Sequence, residues 1–222
     1  LSILPELPIL LTNLWCSNNN LSYLSKLPNL LTNLICANNN LSSLPELQNL
    51  LTNLRCSNNN LSSLPKLPNS LKTLDCSNNN LSNLAELPNS LSELHCSGNK
   101  LSSLPKLPNS LEELYCNHNN LSILPELPNL LTTLFCWNNN LSSIPELPNS
   151  LIYMYYYNNT IHNHIKKYFN NNTKKYYDYQ NNIKKIFSNK IGNWYLECKY
   201  NPKYLYCRTR LMKEYDELYA DY

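Results

Sequence analysis

The chain has 222 residues, with 18 lysines and arginines against 15 aspartates and glutamates, a formal net charge of +3, and 14 prolines against two glycines. That balance excludes the dense cationic field of a dedicated nucleic-acid module, and no apolar run reaches the roughly 18 residues that a membrane-spanning helix needs. The charge is uneven: residues 1–150 carry six basic against nine acidic side chains, so the basic excess lies in the C-terminal remainder.

From Leu11 a frame of Leu-x-x-Leu-x-Cys-x-x-Asn-x-Leu returns every twenty residues, at Leu31, Leu51, Leu71, Leu91, Leu111 and Leu131, with a degraded copy at Leu151. A fixed period of this size predicts stacked units, so length here counts repeats and not domains. The residues around the second leucine of each frame are expected to form a short strand, about 4.8 Å from the parallel strand of the next repeat. Leu14, Cys16, Leu21, Leu24 and their equivalents then face the core. Asparagine fills the ninth frame position, from Asn19 to Asn159, where the chain turns away and its backbone groups lose strand partners. An amide there can satisfy the turning backbone, and stacked repeats would make a ladder of such amides. The return path, Leu-Pro-x-Leu-Pro, excludes helix and favours extended polyproline geometry; Ser25, Gln48 and Ala85 replace proline at three places. The expected object is an open, right-handed arc with short parallel strands on its concave face and an extended convex side.

Nine cysteines would suit a disulfide framework, but the number is odd and seven of them, Cys16, Cys36, Cys56, Cys76, Cys96, Cys116 and Cys136, share one inward frame position. They are expected to be a row of small buried apolar fillers, and free thiols suit a reducing compartment. Strand-to-strand disulfides and a metal ladder are the alternatives. A metal site wants ligands that converge, as in Cys-x-x-Cys, whereas this spacing sets thiols in a line. No cofactor is expected.

The frame and its Leu-Ser-x-Leu-Pro-x-Leu-Pro-Asn link resemble the short, twenty-residue class of leucine-rich repeat. They are most similar to the repeats of secreted bacterial effectors and of leucine-rich-repeat proteins of giant DNA viruses. The bacterial pattern usually carries an aliphatic residue in the sixth position, so cysteine there resembles the viral set more, which would place the protein inside a host cell. Some bacterial effectors with such repeats carry a C-terminal ubiquitin ligase domain with a catalytic cysteine. The tail here is too short for that domain, and Cys198 and Cys207 do not sit in its Cys-x-Asp motif, so that activity is not expected. A substrate-recruiting arm of a ubiquitin-type system, its adaptor or catalytic segment missing, is the alternative to a plain binding scaffold.

The first residues open in mid-repeat, and Leu1, Leu4 and Leu7 would leave the end of the core uncovered, so the chain is expected to be a fragment lacking its N-terminal cap. At the other end the frame breaks up at Leu151–Ile161, where Tyr156 takes the cysteine slot and would collide with a following repeat. The solenoid is therefore expected over 1–161. The basic, tyrosine-rich segment 162–222 is expected to form two or three helices that cap it, with Asn201 and Pro202 opening the clearest one. A separate domain reading acidic partners through its lysine pairs is the competing role.

The fifth frame position points outward from the strands and reads Trp15, Ile35, Arg55, Asp75, His95, Tyr115, Phe135 and Tyr155. Other columns are nearly uniform; folding needs no such variety, and aligned exposed apolar residues are a liability unless something covers them. Trp137, Tyr153 and Tyr157, at the flanking third and seventh frame positions, widen the aromatic stretch. Aromatics with an arginine are the side chains that anchor protein interfaces, so this column is expected to bind a protein partner, with Arg55, Asp75 and His95 setting register. Drift on an unused face is the competing explanation, but Trp15, Trp137, Arg55 and His95 run against the Asn, Lys, Ile and Tyr bias of an AT-rich gene. Asp75 beside His95 also suggests a catalytic pair, yet no serine or cysteine nucleophile shares the column, and no enzyme, small-molecule substrate, membrane or nucleic-acid partner is expected.

Overall fold

The computed structural model describes residues 1–161; contacts divide the chain into Leu1–Tyr168 and Phe169–Tyr222, and every described residue lies in the first unit. The expected capping helices of 162–222 lie outside the described residues.

Eight strands of three residues each run β1 (Asn13–Trp15), β2 (Asn33–Ile35), β3 (Asn53–Arg55), β4 (Thr73–Asp75), β5 (Glu93–His95), β6 (Glu113–Tyr115), β7 (Thr133–Phe135) and β8 (Tyr153–Tyr155). They form one parallel sheet in sequence order, and each residue pairs with the residue twenty further on, as Leu14 with Leu34 and Trp15 with Ile35. The described chain is a parallel-strand solenoid, one turn per twenty-residue repeat. The strands centre on the second leucine of each frame, as the periodicity predicts.

Six positions per repeat point inward. In the second repeat these are Leu31, Leu34, Cys36, Leu41, Leu44 and Leu47, all buried. Each leucine so placed contributes on the order of 1.5–3 kcal/mol by leaving water, and none can do so alone because its cover is the neighbouring repeat. At the N-terminal end Leu1 is 73% exposed, while Leu4 and Leu7 are half-buried.

Two backbone devices let so short a strand leave the sheet. The eighth frame position takes a left-handed conformation throughout, at Asn18, Asn38, Asn58, Asn78, His118, Asn138 and Asn158, with φ between 52° and 58°, and at Gly98 with φ 64°. Asparagine tolerates that region better than most residues with a Cβ. At Gly98 the side chain of Asn78 occupies the space of the missing Cβ, its Oδ1 2.1 Å from where that atom would stand. The return path contains no helix and closes in a tight turn in which the Leu31 N–H donates to the Pro28 carbonyl at 3.1 Å. Gln48 serves equally, its carbonyl accepting the Leu51 N–H at 3.0 Å, because the turn uses only the carbonyl of that residue. Where serine occupies the turn, it also ties repeats together: Ser90 Oγ donates to the Leu71 and Asn69 carbonyls, each at 2.7 Å.

The ninth-position asparagines form the ladder that the sequence predicts. Asn79 Nδ2 donates to the Cys56 and Cys76 carbonyls, both at 3.1 Å, while its Oδ1 accepts the Leu61 N–H at 3.0 Å. The same three bonds recur at Asn39, Asn59, Asn99, Asn119, Asn139 and Asn159. At Asn159 the carbonyl of Tyr156 stands where the others have cysteine.

All seven frame cysteines are free and buried. Desolvation raises their thiol pKa values: Cys36, Cys96 and Cys136 reach about 12, and Cys56, Cys76 and Cys116 lie well above the usual value. Neighbouring thiols, and Asp75 for Cys56, Cys76 and Cys96, add to the rise. These are inert apolar fillers, not nucleophiles.

Two outcomes follow for stability. Asn79→Ala leaves the Leu61 N–H and two carbonyls buried without that partner and is expected to cost about 2–4 kcal/mol in urea unfolding, whereas Asn80→Ala, at an exposed position, stays within about 0.5 kcal/mol. The thiols set an alkaline limit. Their folded pKa values lie above the ordinary 9.0, so their contribution is fully present below pH 9 and is lost as pH rises from there towards the folded values. Each buried thiol should remove about 1.4 kcal/mol per pH unit above the unfolded pKa. Urea titrations from pH 8 to 10.5 should show stability falling steeply above pH 9, and more shallowly by that amount for each cysteine replaced by alanine.

Candidate functional site

The strand register assembles the outward column without a gap. Trp15 pairs with Ile35, Ile35 with Arg55, Arg55 with Asp75, Asp75 with His95, His95 with Tyr115, Tyr115 with Phe135, and Phe135 with Tyr155. The cause is local: in β1 to β7 the leucine before each of these residues is turned into the core and the cysteine after it is buried, and in β8 the half-buried Met154 and Tyr156 take those places, so a three-residue strand presents the residue between them to solvent. Trp15 is 76% and Tyr155 48% exposed; Arg55 is exposed, and Ile35, Asp75, His95, Tyr115 and Phe135 are half-buried by one another. All eight column residues therefore share one face. Tyr153 flanks the column at the start of β8, 59% exposed, and Trp137 flanks it just beyond β7, half-buried.

The C-terminal half of the column is a continuous aromatic ladder. His95 stacks on Tyr115 with ring centroids 4.3 Å apart and planes at 28°, and Tyr115 meets Phe135 edge to face at 4.8 Å. Phe135 meets Tyr155 in the same way at 4.6 Å. A second, shorter aromatic row runs beside it, in which Trp137 stacks on Tyr157 at 5.0 Å and meets His118 edge to face at 4.1 Å. Such pairs contribute about 0.5–1.5 kcal/mol each beyond the area they bury, so the rings are already set in place before anything binds.

The polar members behave differently. Arg55, Asp75 and His95 stand on adjacent strands, but Asp75 Oδ1 accepts the Ser77 backbone N–H at 3.1 Å, so one carboxylate oxygen is engaged by its own turn. His95 presents its ring to Tyr115. That engagement suits a fixed contact surface better than a proton relay. Among the described residues no three of His, Cys, Asp and Glu converge as a metal site would require.

Sequence reasoning named Tyr153 at the third frame position but missed Glu93 and Glu113 at the same position. Glu93 and Glu113 are register partners on β5 and β6, both half-buried beside the ladder. Tyr115 Oη donates to Glu113 Oε2 at 3.1 Å, and Thr73 Oγ1 lies 3.4 Å from Glu93 Oε2. Burial, then the bond to Glu113, then the charges of Glu113 and Glu93 push the Tyr115 phenol above its ordinary pKa. His118, at the eighth frame position, was likewise outside the expected set, whereas Trp137, Tyr153 and Tyr157 at the flanking third and seventh positions were in it.

No protein-family model matches the chain, and no curated protein matches it. Solved structures do. The chain is similar to YopM from Yersinia enterocolitica WA-314, with 43% identity and a TM-score of 0.71 over 72% of this chain and 36% of that one. It is equally similar to YopM of Yersinia pestis, a leucine-rich effector protein, with 43% identity and a TM-score of 0.68 over 72% of this chain and 47% of that one. A Shigella effector leucine-rich-repeat domain gives 38% identity and a TM-score of 0.57 over 60% and 61%. The chain thus spans less than half the length of either YopM structure. With the twenty-residue period, the parallel sheet and the helix-free return path already in hand, these likenesses fix the fold: the chain is a leucine-rich-repeat solenoid of the short, twenty-residue class.

Proposed function

We propose that the chain is a non-enzymatic protein–protein interaction scaffold that receives its partner on the strand face, the concave side of such a solenoid. The supporting observation is the outward column: eight side chains in unbroken register vary from repeat to repeat while the positions that build the fold stay nearly constant. Tyr115, Phe135, Trp137 and Tyr155 supply the large rigid contacts that dominate interface energies, and Arg55, Asp75 and His95 set the partner's register. The bacterial effectors to which the chain is similar are a further support for a binding role, carried over here as part of the proposal. The cysteine column is the reason to count giant-virus leucine-rich-repeat proteins among its kin. Seven unpaired thiols favour work in a reducing compartment, such as the cytoplasm of a host cell.

The test is affinity capture from host-cell lysate by the wild-type chain beside a Tyr115→Ser, Phe135→Ser, Trp137→Ser variant whose circular dichroism is unchanged. A partner held by the wild type should be lost by at least about 30-fold, the scale of a single 2 kcal/mol hot spot. Capture that survives in the folded variant would remove the strand face as the binding surface.

A further inference from the structure

The aromatic ladder could receive either of two chemistries, because stacked rings hold nucleic-acid bases as readily as they hold peptide side chains. The charges beside it separate the two. Glu93 and Glu113 lie directly opposite each other on adjacent strands, about 4.8 Å apart, and Asp75, which pairs with His95, stands diagonally to Glu93 on the strand before; these carboxylates would repel a phosphate backbone. Folding does not favour the Glu93–Glu113 pairing, since like charges opposite one another destabilise a sheet. On the strand face Glu113 accepts the hydroxyl of Tyr115, whose half-buried ring meets Phe135. Arg55, two strands before Glu93, bounds the acidic ground on the other side.

The geometry points to a specific class of occupant, which rests on the strand-face reading above: an extended protein segment that sets an arginine or lysine against Glu93 and Glu113 and an apolar or proline residue on Phe135. From the middle of the Glu93–Glu113 pair to Phe135 is one and a half strand spacings across the sheet and two residues along it, about 10 Å, which an extended segment covers in about three residues. The cation and the apolar residue are therefore two to three positions apart in the partner. The carboxylates of Glu93 and Glu113 bond the cation, and its stem packs along the Tyr115 ring.

The experiment selects random nonapeptides displayed on phage against the wild-type chain, then measures each enriched peptide by fluorescence anisotropy, with a labelled fifteen-residue oligothymidine run in parallel. The expected result is enrichment of a basic residue two or three positions from an apolar one. Binding should weaken about fivefold to tenfold in a Glu93→Gln, Glu113→Gln variant, the scale of two exposed ion pairs, and should also weaken from 50 to 200 mM salt. Phe135→Ala should weaken the same peptides, which separates a true face contact from diffuse charge attraction. Enrichment without a basic residue, no enrichment, or affinity unchanged by the glutamine variant overturns the inference. Tighter binding of oligothymidine than of any peptide overturns it in favour of nucleic acid. Its failure is distinct from failure of the binding role, which falls only if lysate capture ignores the aromatic variant.

Discussion

The structure depends on one side chain per repeat, the buried asparagine at the ninth frame position. A three-residue strand is too short to satisfy the backbone on either side of it, and the chain must leave the sheet at once through a left-handed residue such as Asn78, φ 52°. The amide of Asn79 replaces the strand that is not there: it bonds the cysteine carbonyl of its own repeat, the cysteine carbonyl of the preceding repeat, and the leucine N–H of that repeat. Every bond but the first crosses a repeat boundary, so the ladder both closes each turn and locks the phase between turns. That phase determines which residues point out.

The cysteine column is a consequence of the same constraint. Directly after the strand the chain passes close beneath the asparagine amide, and the side chain there lies among those of its neighbours in the adjoining repeats, which leaves room for a small apolar group. Burial holds the thiols protonated, with Cys96 at about 12, so seven sulfhydryls can line one solenoid without becoming reactive. In the last described repeat Tyr156, directly after β8, takes that slot and is only half-buried.

The two long faces of the solenoid carry different kinds of order. On the return path one exposed position runs Glu6, Lys26, Glu46, Lys66, Glu86, Lys106, Glu126 and Glu146, alternating in sign until the last two repeats. On the strand face the outward residues follow no such rule, and they include large rings and the opposed carboxylates of Glu93 and Glu113. Much of this was legible from the sequence: Leu14, Cys16 and Asn19 each announce a role by recurring at twenty residues. The left-handed eighth position was not, because asparagine runs through positions eight to ten of most repeats and the letter alone does not show which of the three takes positive φ. The turn-spanning bonds of Ser70, Ser90, Ser110 and Ser150 were equally hidden, since they join residues about twenty apart through backbone carbonyls that carry no sequence signature.

By itself the sequence determined the period, the inward set and the outward column, because a repeat that cannot bury its leucines alone must stack on its neighbour in one register. Only the tertiary structure decided how the outward residues meet. Whether Tyr115 stacks or turns its edge to the next ring, and whether Glu113 stands free or receives a phenol, depends on side-chain torsions and on which residue the adjoining strand presents at about 4.8 Å. Periodicity specifies neighbours; the orientation of each pair follows from the shape and charge of both partners once the sheet has brought them together.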